Sequence, residues 1–517
     1  MATIITSLTS DQISGLSTRS IANLSTEDWA AFTTEQILAL TTRQVAAIST
    51  LGASHLSSEQ LAAFQTEDIK HFSTAAIGVL DTDQIAAFSS DQIGALSTVQ
   101  ITRLSSAQVQ ALDTEDIGAL STLQLSKLSS AQAKGLSTEH MAAFDTSNVL
   151  GLSTAVVKAL TTDQLNALTS DNIAALTTAQ VASLTTAQVA GLTTETLAAL
   201  QTTDIKALTT AAIKALDTDQ LNGLGTDQIA ALTTAQVSLL TSAQIEGLST
   251  DNLNALSTAQ IATLSSAQVK GLTTEQMAAM ESADVKSLNT AAVKALGTDQ
   301  LNALTSDNIA ALTTAQVSVL TTAQISGLTT ETLAALQTTD IKALSTAAVK
   351  ALDTDQLNGL GTDQIAALTT AQVSVLTSAQ IEGLSTDNLN ALGTAQVAKL
   401  SSAQIVGLTT EQVAALESAD VKSLNTSAVK ALDTDQLNAL TSDNIAALTT
   451  AQVATLTTAQ VAGLTTETLA ALETADVKAL TTAAVKALGS DQLNGLGTDQ
   501  IAALTTCLLY TSPSPRD

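Results

Sequence analysis

Few residues in this chain could do chemistry. Its only imidazoles are His55, His71 and His140. Metal ligation or general-base work would need them to converge with carboxylates or a thiol. They lie in separate stretches, and their spacing reads as surface substitution rather than a ligand set. Asp217, Asp219, Asn222 and Gly223 come nearest to a calcium loop, and Asp353, Asp355, Asn358 and Gly359 repeat them. Such a loop needs an oxygen ligand at its fifth place and glycine at its sixth. Leu221 and Asn222 stand there instead, so these acids read as solvated residues of a helix's first turn. Hydroxyls are abundant, but no Ser–His–acid set and no glycine-rich phosphate loop can be assembled. The chain reads as a non-enzyme with no catalytic, cofactor-binding or metal residues, and no cofactor.

What positions the side chains is a repeat of eight, seen cleanly at Leu24–Phe32 as L-S-T-E-D-W-A-A-F. Leu8 and Leu504 lie 62 octads apart, with no insertion or deletion between them. Counting from the leucine, position 1 is Leu, or Phe32, Ile48, Phe64, Phe72, Phe88, Phe144 or Met280. Position 6 is Ile, Val or Leu, with Trp29, Met141 and Met277 as large variants and Ala53 and Ala133 as gaps. Position 3 is Ser or Thr throughout, and position 2 is mostly Ser, Thr, Asp, Asn or Gly, the residues that cap helix N-termini. With the cap at position 2, Gln or Asp at position 5 completes a capping box, and positions 1 and 6 form a hydrophobic staple. Acids then sit in the first turn and Lys158, Lys206, Lys214 and Lys342 in the last, as the helix dipole favours. The hydroxyl at position 3 could serve as the cap instead, so the register is open by one residue.

Two other folds compete. In one continuous helix, positions 1 and 6 would lie about 140° apart and each octad would drift by about 80°, so no face stays apolar. A β-solenoid would use the threonines and β-branched residues as a ladder of the ice-binding kind. Its large residues at positions 1 and 6 have opposite parity, however, and Ala, Gln, Asp and Asn fill the rest. The expected fold is all-α: an α-solenoid of one- to two-turn helices, one per octad, with the β-solenoid as alternative. Helices this short cannot stand alone. Burying each large anchor is worth roughly 1.5–3 kcal/mol against about 1 kcal/mol for a cap, so stacking carries the stability.

Across 517 residues no linker or change of period appears, so residues 1–506 read as a single solenoid. Hydrophobic content of 45% argues against disorder, and aromatic content of 1% makes the core aliphatic. The net charge of −28 falls on positions 4 and 5, which stacking would gather into an exposed acidic ridge. Asp204 is expected to be exposed in that ridge and Leu200 to be buried. Such a field repels nucleic acid and anionic membrane. No apolar run reaches transmembrane length, and no signal peptide is seen at the amino end. From about Leu165 a longer period appears. Leu165–Ala174, L-N-A-L-T-S-D-N-I-A, returns at Leu301 and Leu437, a 136-residue block of 17 octads, and Gly191, Gly327 and Gly463 open a matched trio. Growth by blocks suits a spacer, in which length matters more than any one residue.

Residues 507–517, C-L-L-Y-T-S-P-S-P-R-D, hold the only Cys, the only Tyr and both prolines. The string resembles a translated sequencing-library adapter. It is read as non-native, and the chain as a fragment whose true carboxyl end is missing. Leu40–Ile48, L-T-T-R-Q-V-A-A-I, is similar to the opening helix of a TAL-effector repeat. The base-reading loop and basic surface of that family are absent, and a shared helix-start pattern accounts for the match. More broadly, Leu8–Thr506, with its motif L-[ST]-T-x-Q-[IV]-x-A-L, resembles the octapeptide-repeat regions of very large bacterial secreted or surface proteins, often called adhesins or haem-utilisation proteins. That resemblance implies an extracellular stalk, spacer or adhesin segment, exported through a carboxyl-terminal signal. A scaffold that binds a peptide, glycan or surface along the solenoid face is the alternative. The partner is unknown, a protein or cell-surface ligand being the class implied.

Overall fold

The structure, a computed structural model, describes residues 3–509. Among them, after a 3-10 turn at Ile5–Ser7, come 62 α-helices and no strand, from Ser10–Ser14 to Thr498–Leu509. Every octad starts its helix at position 3, so position 2 is the cap and the one-residue ambiguity is resolved. At Thr234–Ser238, the cap Thr233 has extended φ −76° and ψ 155°, and its hydroxyl accepts from the Gln236 N–H. The reciprocal bond, Thr233 N–H to Gln236 Oε1, completes the capping box. Some helices run up to the position-1 leucine, which turns extended, as Leu224 does at φ −69° and ψ 136° after Thr218–Gly223; others end one or two residues sooner, as Thr234–Ser238 does at Leu239. Of the terminal string, the residues from Tyr510 lie outside the described residues, and the backbone of Cys507–Leu509 ends the last helix.

The chain forms two compact units, Met1–Gln260 and Ile261–Asp517. Within each, a helix packs on the helix three further along: Thr210–Lys214 on Thr234–Ser238 in the first, Thr346–Lys350 on Thr370–Ser374 in the second. Three octads therefore make one coil, and equivalent positions stack in columns. Positions 1 and 6 fill the coil's interior, as in Ile205 and Leu208 or Ile341 and Leu344. Large and small residues complement one another up a column. Trp29 is fully buried and stacks on Phe32, with ring centroids 5.1 Å apart. One coil on stand Gly52 and Ala53, and a Cβ at Gly52 would come within 2.5 Å of the indole nitrogen. The missing side chain at Gly52 thus makes room for Trp29. The matched glycines have a similar reason: a Cβ at Gly191, Gly327 or Gly463 would meet the methyl of Thr162, Thr298 or Thr434 at about 2.5 Å.

Candidate functional site

The residue that does most in each coil is the one at position 5. In the first unit, Gln236 Oε1 accepts from the Thr233 N–H at 2.7 Å. Its Nε2 donates to the Ile205 carbonyl at 2.9 Å and to the Leu208 carbonyl at 2.8 Å. In the second unit, Gln372 joins Thr369, Ile341 and Leu344 at 2.7, 2.8 and 2.8 Å. One amide thus caps its own helix and satisfies carbonyls 28 and 31 residues earlier, at the corner of the coil beneath. The glutamines are almost fully enclosed, and that burial is tolerable because both ends of the amide are bonded.

Substitutions at position 5 keep, shorten or drop this clamp. Asparagine spans less but still reaches back 28 residues: Asn172 Nδ2 lies 2.7 Å from the Phe144 carbonyl and Asn444 Nδ2 2.7 Å from that of Leu416. His140 does the same with a ring, Nδ1 accepting from the Ser137 N–H and Nε2 lying 2.8 Å from the Leu112 carbonyl. It is 5% exposed, so the expectation of a surface histidine is corrected: the imidazole stands in for the amide. His71 is half-buried, and His55 is exposed, with Nδ1 on the Leu51 carbonyl at 2.9 Å. Where threonine replaces glutamine, at Thr196, Thr332 and Thr468, the shorter side chain leaves cavities of about 220, 350 and 310 Å³. Asn166 crosses toward the first of them, its Oδ1 accepting from the Thr193 N–H and the Thr196 hydroxyl at 3.1 and 3.0 Å.

Aspartate at this position overturns another expectation. Asp204 is 2% exposed, and Asp68, Asp116, Asp284, Asp340, Asp420 and Asp476 are likewise buried. The acidic ridge is therefore built from position 4, where Asp163, Asp219 and Asp299 are exposed. Burial pushes the carboxyls of Asp116, Asp284 and Asp420 up to about 6, with Glu281 and Glu417 adding to the effect at the latter two. Burial also raises Asp68, Asp204, Asp340 and Asp476. Asp28, at the same position but only half-buried, is instead lowered, first by the Ser25 N–H that donates to it.

The residues that came nearest to a calcium loop serve the coil. Asp217 caps Thr218–Gly223 by accepting from the Gln220 N–H. Asn222 bridges to the next coil, donating to the Gly247 carbonyl at 2.6 Å and accepting from the Ser249 N–H at 2.8 Å. Among the described residues, no three His, Cys, Asp or Glu side chains are placed to share a metal ion.

A clamp residue, a cap and two anchors returning every eight residues are the signature that comparison with known families then recognises. The ALTTAQ repeat model matches fourteen segments, the first at residues 5–42 and the last at 469–506, which together cover most of the chain. The chain belongs to the ALTTAQ repeat family. In the motif that gives the ALTTAQ repeat its description, the leucine is the position-1 anchor, the first threonine the cap and the glutamine the clamp, as in Ala231–Gln236. No curated protein matches the chain. No helix among the described residues of this ALTTAQ repeat protein is long and apolar enough to cross a membrane.

Proposed function

We propose that this ALTTAQ repeat protein is a non-catalytic spacer: a stalk, or a segment of an adhesin, that holds other parts of a cell-surface assembly apart. The observation that carries this reading is a mismatch of periods. The duplicated block is 17 octads long, and 17 is not a multiple of the three octads in a coil. Equivalent residues in successive blocks therefore fall on different faces; within the second unit, Asn302 and Asn438 do so. A binding scaffold gains from repeating one face, whereas a spacer needs only length. Position-4 acids on every side keep such an array soluble and repel nucleic acid. The octad phase runs unbroken across Gln260 and Ile261, which supports a single array over residues 1–506. An extracellular place rests on the resemblance of the repeat to surface-protein regions.

Removing residues 165–300 joins Gln164 to Leu301 in phase and deletes 136 of 517 residues. The shortened protein should fold with the same helix content per residue. Its maximum dimension in small-angle scattering should fall by roughly a quarter, since a repeat array extends in proportion to its length. An unchanged dimension, or an unfolded chain, contradicts the spacer.

One observation favours the scaffold reading for the amino-terminal part. Leu51, Val99 and Leu123 share a column and are 52%, 58% and 62% exposed. The stacked helices Thr50–Ala53, Thr74–Gly78, Thr98–Ile101 and Thr122–Leu125 carry no acid, and Arg103 and Lys127 follow two of them. If this row holds a ligand, Val99→Glu abolishes its binding and leaves the length of the particle unchanged.

A further inference from the structure

The buried aspartates at position 5 occupy a place built for a donor. Glutamine, asparagine and histidine there each present nitrogen to a main-chain carbonyl 28 residues back. A carboxylate offers that carbonyl only another acceptor, and two facing acceptors repel. Asp340 shows the consequence: it is 2% exposed, and its buried Oδ2 has no hydrogen-bond partner. Aspartic acid, by contrast, matches asparagine in size and shape, with a hydroxyl where Nδ2 would be. By the register of Asn172 and Asn444, the carbonyl belongs to Leu176 for Asp204, Leu312 for Asp340, Leu392 for Asp420 and Leu448 for Asp476.

We propose that Asp204, Asp340, Asp420 and Asp476 work as neutral carboxylic acids, donating to the coil beneath, so that acidification tightens the coils and neutral pH loosens them at each of the four. The helices packed against these four bring no cation. Asp340 packs between Thr314–Ser318, which carries no charge, and Thr362–Ala367, which carries Asp363. Asp420 packs between Thr394–Val397, again uncharged, and Ser442–Ala446 with Asp443. Thr178–Ala182 and Thr450–Val453, beneath Asp204 and Asp476, are uncharged, and Asp227 and Asp499 lie on the helices above. The titratable neighbours on the adjoining helices are thus all acidic. On their own helices Lys206, Lys342, Lys422 and Lys478 stand two residues on, and Glu417 and Glu473 push the carboxyls of Asp420 and Asp476 further up. At Asp204 the Gln201 N–H and the Thr178 hydroxyl oppose the rise, but burial outweighs both.

The direction follows from proton linkage. A carboxyl raised in the folded state binds its proton there while the unfolded chain, near the ordinary value of about 4, has lost it. Its contribution is complete below that value and is lost as pH rises through the folded one, about 6 for Asp420. Self-repulsion of the acidic chain also grows as pH rises and lowers stability in the same direction, so a control must remove charge elsewhere. The test compares the whole chain with Asp204→Asn, Asp340→Asn, Asp420→Asn and Asp476→Asn combined. A control combines Asp163→Asn, Asp219→Asn, Asp299→Asn and Asp355→Asn at exposed position 4. Thermal melts from about pH 4 to 7.5 should show the parent's midpoint falling as pH rises. The buried-site variant should match the parent in acid, melt higher at neutral pH and show a flatter profile. The control should keep the parent's slope. Infrared spectra near pH 5 should show a carboxylic-acid band in parent and control that is reduced in the buried-site variant. Equal flattening in both variants would assign the slope to surface repulsion, and a buried-site variant no more stable at neutral pH would show that the carboxylates are tolerated; either result overturns the proposal.

Discussion

Leu200→Asp is expected to open the coil that contains it. Leu200 is 4% exposed, in a column between Leu176 and Leu224. The substitution removes an anchor worth roughly 2–5 kcal/mol and adds a charge that the apolar interior leaves unpaired, which costs several kcal/mol more. In a quasi-one-dimensional array that loss stays local. Hydrogen exchange should therefore show protection lost in the coils on either side, while distant coils keep theirs. Asp163→Ala, at an exposed site, should stay within about 0.5 kcal/mol of the parent. Equal effects from the two would mean that position 1 does not face the interior.

Gln236→Leu is expected to be the next most damaging change. Leucine is close in size and suits the burial, so the loss isolates the hydrogen bonds. The Thr233 N–H and the carbonyls of Ile205 and Leu208 lose the partners that held them at 2.7, 2.9 and 2.8 Å. Leaving buried polar groups unpaired costs about 1–3 kcal/mol each, so the substitution should cost on the order of 3 kcal/mol or more. The chain bounds this figure itself, because Ala212 and Ala348 occupy position 5 in intact coils. A single missing clamp is tolerated when its neighbours are whole. Ala212 stands one coil before Gln236, so Gln236→Leu leaves two adjacent places in one column without a clamp and Gln236→Leu with Gln260→Leu leaves three; the pair should therefore cost more than twice one. Urea titration of the three variants measures this. If Gln236→Leu costs no more than an ordinary surface change, about 0.5 kcal/mol, the clamp is dispensable.

Much of the architecture was legible because it is local. The cap, the first-turn acids and the paired anchors all lie within one octad, so the reading of Leu24–Phe32 predicts a short helix that starts anew every eight residues. The function of position 5 was only half legible. The capping box accounts for Oε1 of Gln236, but Nε2 acts on Ile205 and Leu208, across a coil whose length no single octad reveals. One signal was available. A capping box accepts Glu as readily as Gln, and this acidic chain uses Glu freely at position 4, as in Glu35, Glu195 and Glu331. From Gln12 to Gln500, position 5 holds no Glu. A site that selects the amide over the acid must face acceptors on its far side, which would have placed Asp204 and His140 inside. The three-octad coil had a fainter trace in the pairing of Trp29 with Ala53, large against small at that spacing.

If three octads close one coil, distances between spin labels at exposed position-4 sites of the first unit report it most directly, in the chain with Cys507→Ser. Ala187 and Ala235 are both exposed and six octads, or two coils, apart. Asp163, also exposed, lies one coil before Ala187. With packed helices spaced by about 8–10 Å, narrow distributions are expected at about 20 Å for the 187–235 pair and about 30 Å for the 163–235 pair. Broad distributions, or separations that grow along the chain in steps other than three octads, would contradict the coil.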